Sequence, residues 1–156
     1  MVENIRQGDI PGVQLRHRQS LSAPAAVVWR WLTETDHLDR WLCRHAAIES
    51  SATRSLVLES TGPRQEIVRE RLLPHHVERP HLLVYDLQRL DAGWPTATRL
   101  TLELTPTTGG TEISVLQQGF AHLPLSDCLT IWEAYRRRWR TALTRLADEL
   151  ATAPDS

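Results

Sequence analysis

The stretch SDCLTIWEAYRRRWRTALTRLADEL, Ser126 to Leu150, decides the fold. Cys128, Leu129, Trp132, Tyr135, Trp139, Ala142, Leu143, Leu146 and Leu150 recur in it at three- and four-residue spacing. That period is the pattern of an amphipathic helix laid against a core. Pro124 precedes the stretch, Ser126 or Asp127 can cap it, and Pro154 follows it. No glycine or proline interrupts it. A long closing helix after a run of strands predicts a helix gripped by a curved sheet, with room for a cavity between them.

One charge breaks the apolar arc. At about 100° per residue, Arg136 falls only about 40° from Trp132 on the helical wheel. Arg137, Arg138 and Arg145 fall on the far side and Arg140 near an edge. Two readings of Arg136 stay open. Its stem covers apolar surface while its head snorkels past Trp132 and Trp139 to water. Alternatively it stands at a cavity wall, paired with a sheet carboxylate or an anionic ligand group.

Outward from the helix, the rest of the chain supplies the sheet. From Val13, alternation puts Val13, Leu15, His17, Gln19 and Leu21 on one face. The others on this stretch are polar, so His17 and Gln19 are polar intrusions on the inner face. Ser22-Ala23-Pro24 starts a helix through Trp29, Trp31 and Leu32, with Ser22 as cap. Thr35 or Asp36 caps a second short helix with Leu38, Trp41 and Leu42. Strands are expected at 46–51, 54–60, 65–73, 81–90, 97–106 and 111–119, with Thr108-Gly109-Gly110 as a tight hairpin. Leu83, Tyr85 and Leu87 share an inward face, as do Thr98, Leu100, Leu102 and Leu104, and Ile113, Val115 and Gln117. The predicted architecture is α+β: a curved antiparallel sheet of about six to seven strands, two short helices, and a long C-terminal helix packed across one face. Residues 1–11 read as a flexible arm, 12–150 as a single domain and 151–156 as a tail.

Composition narrows the chemistry. Formal net charge is −1 and the signs are well mixed, so no nucleic-acid surface is expected. There is no lysine, which removes Schiff-base, lysine-base and P-loop mechanisms. Cys43 and Cys128 read as buried thiols. The N-terminus has no signal-peptide core, and no apolar run approaches the ~20 residues of a membrane span. A cytoplasmic protein is the expectation. Leu73 to His81, with His75, His76, Glu78 and His81 between Pro74 and Pro80, reads as a solvated loop rather than a metal site. The Cys43-Arg44-His45 run is a poor metal pattern, and no nucleophile elbow or phosphate loop is present. No metal, no cofactor and no catalytic residue is assigned.

The stretch SLSAPAAVVWRWLTETDHLDRWL, through Ala23-Pro24-Ala25, Trp29, Leu32-Thr33, Leu38 and Trp41, resembles the opening of the activator-of-heat-shock-ATPase-like family. This is a branch of the START-like, birch-pollen-allergen-like superfamily (SRPBCC), which has a helix-grip fold. Leu100 to Pro106, Gly110 to Ile113 and Gly119-Phe120 resemble its late strands, and Trp139 with Leu143 to Leu146 its last helix. Where relatives often carry a histidine two residues before that glycine, this chain has Gln117. The resemblance implies a hydrophobic cavity between helix and sheet. Relatives bind lipids, sterols, polyketides or hormones, some act as cyclases or dehydratases, and the namesake stimulates the ATPase of the ninety-kilodalton heat-shock chaperone.

The expected cavity is lined by His17, Gln19, Tyr85, Leu102, Val115, Gln117, Trp132 and Arg136. The leading expectation is a non-catalytic protein that binds a small hydrophobic or amphipathic molecule there, with Arg136 or His17 meeting its polar end. A filled core in which these groups satisfy one another is the alternative at the level of structure. At the level of function the alternatives are a chaperone partner, using charges such as Arg99 and Glu103 on the outer sheet face, and a cyclase- or dehydratase-like enzyme using His17. Either Arg69 and Arg71, or Glu66 and Glu70, join that outer face.

Overall fold

The computed structural model describes residues 8–62, 64–124 and 126–152. Residues 1–7 of the expected arm and 153–156 of the expected tail lie outside the described residues. Strand β1 (Gln14–Leu21) is followed by two short helices, α1 (Ala25–Thr33) and α2 (Thr35–Trp41). Strands β2 (His45–Ser50), β3 (Ser55–Thr61), β4 (Ile67–Glu78), β5 (Leu82–Arg89), β6 (Thr98–Thr107) and β7 (Gly110–Gln118) come next. A short 3-10 turn at Phe120–His122 leads into α3 (Cys128–Thr152).

The strands form one seven-stranded antiparallel sheet in the order β1-β7-β6-β5-β4-β3-β2. Strands β2 to β7 are a meander, and β1 pairs with its last member. The chain must therefore pass from one sheet edge to the other, and α1 and α2 make that passage. This is the α+β helix-grip arrangement.

Alternation builds the core. Leu15 and Leu21, Leu56 and Leu58, Leu83 and Leu87, Leu100, Leu102 and Leu104, and Ile113 and Val115 are all buried on the face that meets the helices. Trp31, Trp41, Trp132 and Trp139 fill the layer above, each at 1 % exposure or less. Each of the leucine, isoleucine and valine side chains contributes roughly 1.5–3 kcal/mol when fully buried.

Three local features differ from the sequence expectations. Ser22 does not cap α1. Pro24 sits at the N-cap, and its carbonyl accepts the N–H groups of Val27 and Val28. Likewise Glu34, not Thr35 or Asp36, occupies the N-cap of α2, with no side-chain cap hydrogen bond. The expected loop at Leu73 to His81 is mostly strand, since β4 runs on to Glu78. Proline lacks the ladder N–H, and the strand takes Pro74 at a register irregularity between Pro74 and His76.

The free edge of β1 is covered at its start, as far as Arg16. Residues 8–13 fold back along it, Ile10 bridges Gln14, and Asp9 Oδ1 accepts the Arg16 backbone N–H at 2.7 Å. This covers an edge that would otherwise present unpaired backbone groups. At the other end of β1, the β6–β7 hairpin packs tightly. A Cβ on Gly110, whose φ is +152°, would stand 2.2 Å from the Leu21 carbonyl oxygen, so only glycine fits.

Candidate functional site

The sheet register gathers most of the expected cavity residues into two neighbouring rows. His17 faces Val115, Val115 faces Leu102, and Leu102 faces Leu83. In the next row Leu15 faces Gln117, Gln117 faces Leu100, and Leu100 faces Tyr85. His17 is 2 % exposed, Gln117 0 % and Tyr85 4 %. Gln19 is half-buried, and its amide donates to the Ser20 carbonyl. Burial pushes the Tyr85 hydroxyl up to about 12, and the Arg54 charge opposes that in part.

The polar members of these rows have specific partners. Gln117 Oε1 accepts the Trp139 indole N–H at 2.9 Å, and Gln117 Nε2 donates to the Thr98 hydroxyl at 3.0 Å. The Thr98 hydroxyl in turn donates to the Leu87 carbonyl. The chain of bonds ties the middle of α3 to β5, β6 and β7. Trp132 donates its indole N–H to the Gln14 carbonyl at 2.8 Å, which ties the start of α3 to β1.

Arg136 is 5 % exposed and stacks over Trp132 with its guanidinium carbon 5.6 Å from the ring centre. Its carboxylate partners are Glu133, at 3.1 Å, and Asp9, at 3.5 Å. Asp9 comes from the segment before β1, and its side chain is fully buried. One carboxylate thus serves both the free edge of β1 and the buried arginine of α3.

A second polar cluster lies toward the other end of the sheet. Glu70, on β4, is 0 % exposed. Its Oε2 accepts the Tyr135 hydroxyl at 2.5 Å and a guanidinium N–H of Arg138. Its Oε1 is buried without a hydrogen-bond partner. Arg138 also donates to the Leu42 carbonyl at the end of α2. The rings of Trp94 and Phe120 flank Tyr135, each with centroids 5.9 Å away. Across the sheet Glu70 faces Leu58 on one side and Arg89 on the other. Arg89 is bidentate to Asp91.

The electrostatics follow from this packing. Burial, with the Glu70 charge beside it, drives the Tyr135 hydroxyl well above its ordinary value, so it stays a donor. Burial opposes the charge of Arg138, but Glu70 outweighs it and holds the guanidinium above its usual value. Burial, then Asp39, pushes the Cys43 thiol up to about 12, so it stays protonated at neutral pH.

The Glu70 cluster was only half-visible in the sequence. Val68, Glu70 and Leu72 alternate on one face of β4, and that face points inward. Arg69 and Arg71 are then the pair that joins the outer face, where they meet Glu59 and Glu49. Arg138 is a correction to the helical wheel: its side chain is 21 % exposed and reaches back under the helix to Glu70. A wheel places Cα atoms, and a long arginine covers about a turn beyond its own.

Among the described residues, two of the open depressions on the surface stand out. One, of about 380 Å³, runs over Arg140, Thr141, Thr144, Arg145 and Asp148 on the outer side of α3. The other, of about 480 Å³, lies among Val13, Asp86, Arg99, Gln118, Gly119 and His122. Neither lies between α3 and the sheet. Among the described residues, no group of three or more His, Cys, Asp or Glu side chains is placed to hold a metal ion. Among them, too, no helix is long and apolar enough to cross a membrane.

The chain is similar in fold to several solved structures. A protein from Rhodobacter sphaeroides is 22 % identical, over 90 % of this chain and 94 % of that one, with a TM-score of 0.73. A protein from Nitrosomonas europaea is 18 % identical, over 95 % of this chain and 100 % of that one, with a TM-score of 0.74. The AHSA1-like protein from Aeromonas hydrophila is 11 % identical, over 90 % and 94 %, with a TM-score of 0.66. No curated protein matches the chain. The family model for the Activator of Hsp90 ATPase homolog 1-like protein matches residues 22–151. With that match across most of its length, the chain belongs to the Activator of Hsp90 ATPase homolog 1-like family.

Proposed function

We propose that this protein binds a small amphipathic molecule between α3 and the concave face of the sheet, holding it without transforming it. The observation that carries the reading is the set of buried polar side chains on an otherwise apolar face: His17 at 2 %, Glu70 at 0 %, Gln117 at 0 % and Arg136 at 5 % exposure. An apolar site with a few convergent polar groups is the usual form of a small-molecule seat. Tyr85, Leu102, Val115 and Trp132 supply apolar wall around them. The two surface depressions lie elsewhere, and the side chains here are buried, so a ligand must displace some of them. Binding then costs part of its own contact energy.

The co-chaperone reading draws its support from the family. The outer face adds little to it, because Arg69, Arg71 and Arg99 are each paired there with Glu59, Glu49 and Asp86. Native mass spectrometry of protein isolated from its own host tests the proposal, with displacement of an environment-sensitive dye as the second measurement. Retained added mass, or competition by a lipid extract for the dye, is expected. No added mass and no dye binding would leave the reading without support, and stimulation of the chaperone ATPase would then favour the alternative.

A further inference from the structure

We infer that the polar end of the ligand is an uncharged hydrogen-bond donor, a hydroxyl or an amide N–H, received by the unpartnered oxygen of Glu70. The inference rests on the small-molecule reading above and assigns its chemistry. Glu70 is fully buried, and its two carboxylate oxygens are used unequally. Oε2 takes both the Tyr135 hydroxyl and the Arg138 guanidinium, while Oε1 has no hydrogen-bond partner. A buried acceptor left open costs free energy, and the group that satisfies it recovers that cost.

The charges around Glu70 select the kind of donor. Arg138 already neutralises the carboxylate, and Arg89 stands opposite it in the next strand, itself balanced by Asp91. A second cation would meet Arg138 beside a fully buried carboxylate, where like charges repel. An anion would bring lone pairs against the lone pairs of Oε1. A neutral O–H or N–H meets neither penalty. The apolar part of the ligand has its wall at the same place, in Leu58 beside Glu70 and in Trp94 and Phe120 against Tyr135. Trp94 is carried on the loop between β5 and β6, and Arg138 reaches the surface with 21 % of its side chain exposed, so a ligand reaches Glu70 by displacing that loop.

Four probes of one shape decide the matter by calorimetric titration of the wild-type chain: naphthalene, naphthol, naphthoate and naphthylmethylammonium. Naphthol is expected to bind about tenfold or more tighter than naphthalene, the gain of one hydrogen bond to a charged acceptor. Both charged probes are expected to bind more weakly than naphthol. In the triple variant E70L/Y135F/R138M, which replaces the cluster by apolar groups, naphthol and naphthalene should bind alike. Equal affinity of naphthol and naphthalene for the wild type, or tightest binding of either ion, overturns the assignment while leaving the small-molecule reading in place. Failure of all four probes to bind overturns both. The wild-type series alone is decisive if the triple variant does not fold.

Discussion

Replacing Arg138 by methionine removes the guanidinium that holds Glu70 and the Leu42 carbonyl while keeping most of the side-chain stem. Glu70, at 0 % exposure, is then left with the Tyr135 hydroxyl alone. Breaking a buried pair from one side costs about 3–5 kcal/mol. The Arg138 side chain is 21 % exposed, so water reaches its end, and the low side of that range, about 3 kcal/mol, is expected. For a domain of this size that lowers Tm by roughly 6–12 °C. The triple variant E70L/Y135F/R138M removes every member of the cluster and leaves no orphaned charge. It should return to within about 1 kcal/mol of the wild type. Urea unfolding followed by circular dichroism and tryptophan fluorescence gives both numbers, with the slope m checked for constancy. An R138M protein within about 1 kcal/mol of wild type, or a triple variant no more stable than R138M, would refute the account of Glu70 as a buried charge dependent on Arg138.

Asp9→Ala removes the acceptor of the Arg16 N–H and one carboxylate of Arg136. A loss of about 1–3 kcal/mol is expected, smaller for Asp9→Asn, with faster amide exchange at Arg16; unchanged exchange would separate Asp9 from the strand edge. Alkali should destabilise the fold. Burial raises Cys43 from 9.0 and Tyr85 from 10.0, each to about 12, so the folded state keeps protons the unfolded chain has lost. Stability is full below about pH 9 and falls between there and about pH 12. Cys43→Ala should flatten the first part of that fall in the urea midpoint, and an unchanged slope would remove the thiol as its cause.

Much of this fold is legible in the sequence because its signals are periodic. The three- and four-residue spacing from Cys128 to Leu150 gives α3, and alternation in Leu100 to Leu104 and Ile113 to Gln117 gives paired strands with the right inward face. Proline was the weak signal. Pro74 reads as a break because it lacks an N–H, yet a bulge carries β4 past it. The site is less legible for a different reason. Arg136 stands out as a charge inside the arc, but its partner Asp9 lies in a segment with no periodicity of its own. Glu70 and Arg138 lie 68 residues apart, and only the register of β4 against α3 brings them together. Trp94 falls in a loop, where no pattern announces a buried ring.

Backbone amide shifts on titration with naphthol test the binding account most directly. The largest changes are expected at Leu58, Glu70, Trp94, Tyr135 and Trp139, residues that line the grip between α3 and the sheet. Changes confined to the outer side of α3, from Arg140 to Asp148, or no changes at all, would contradict a ligand seat in the grip.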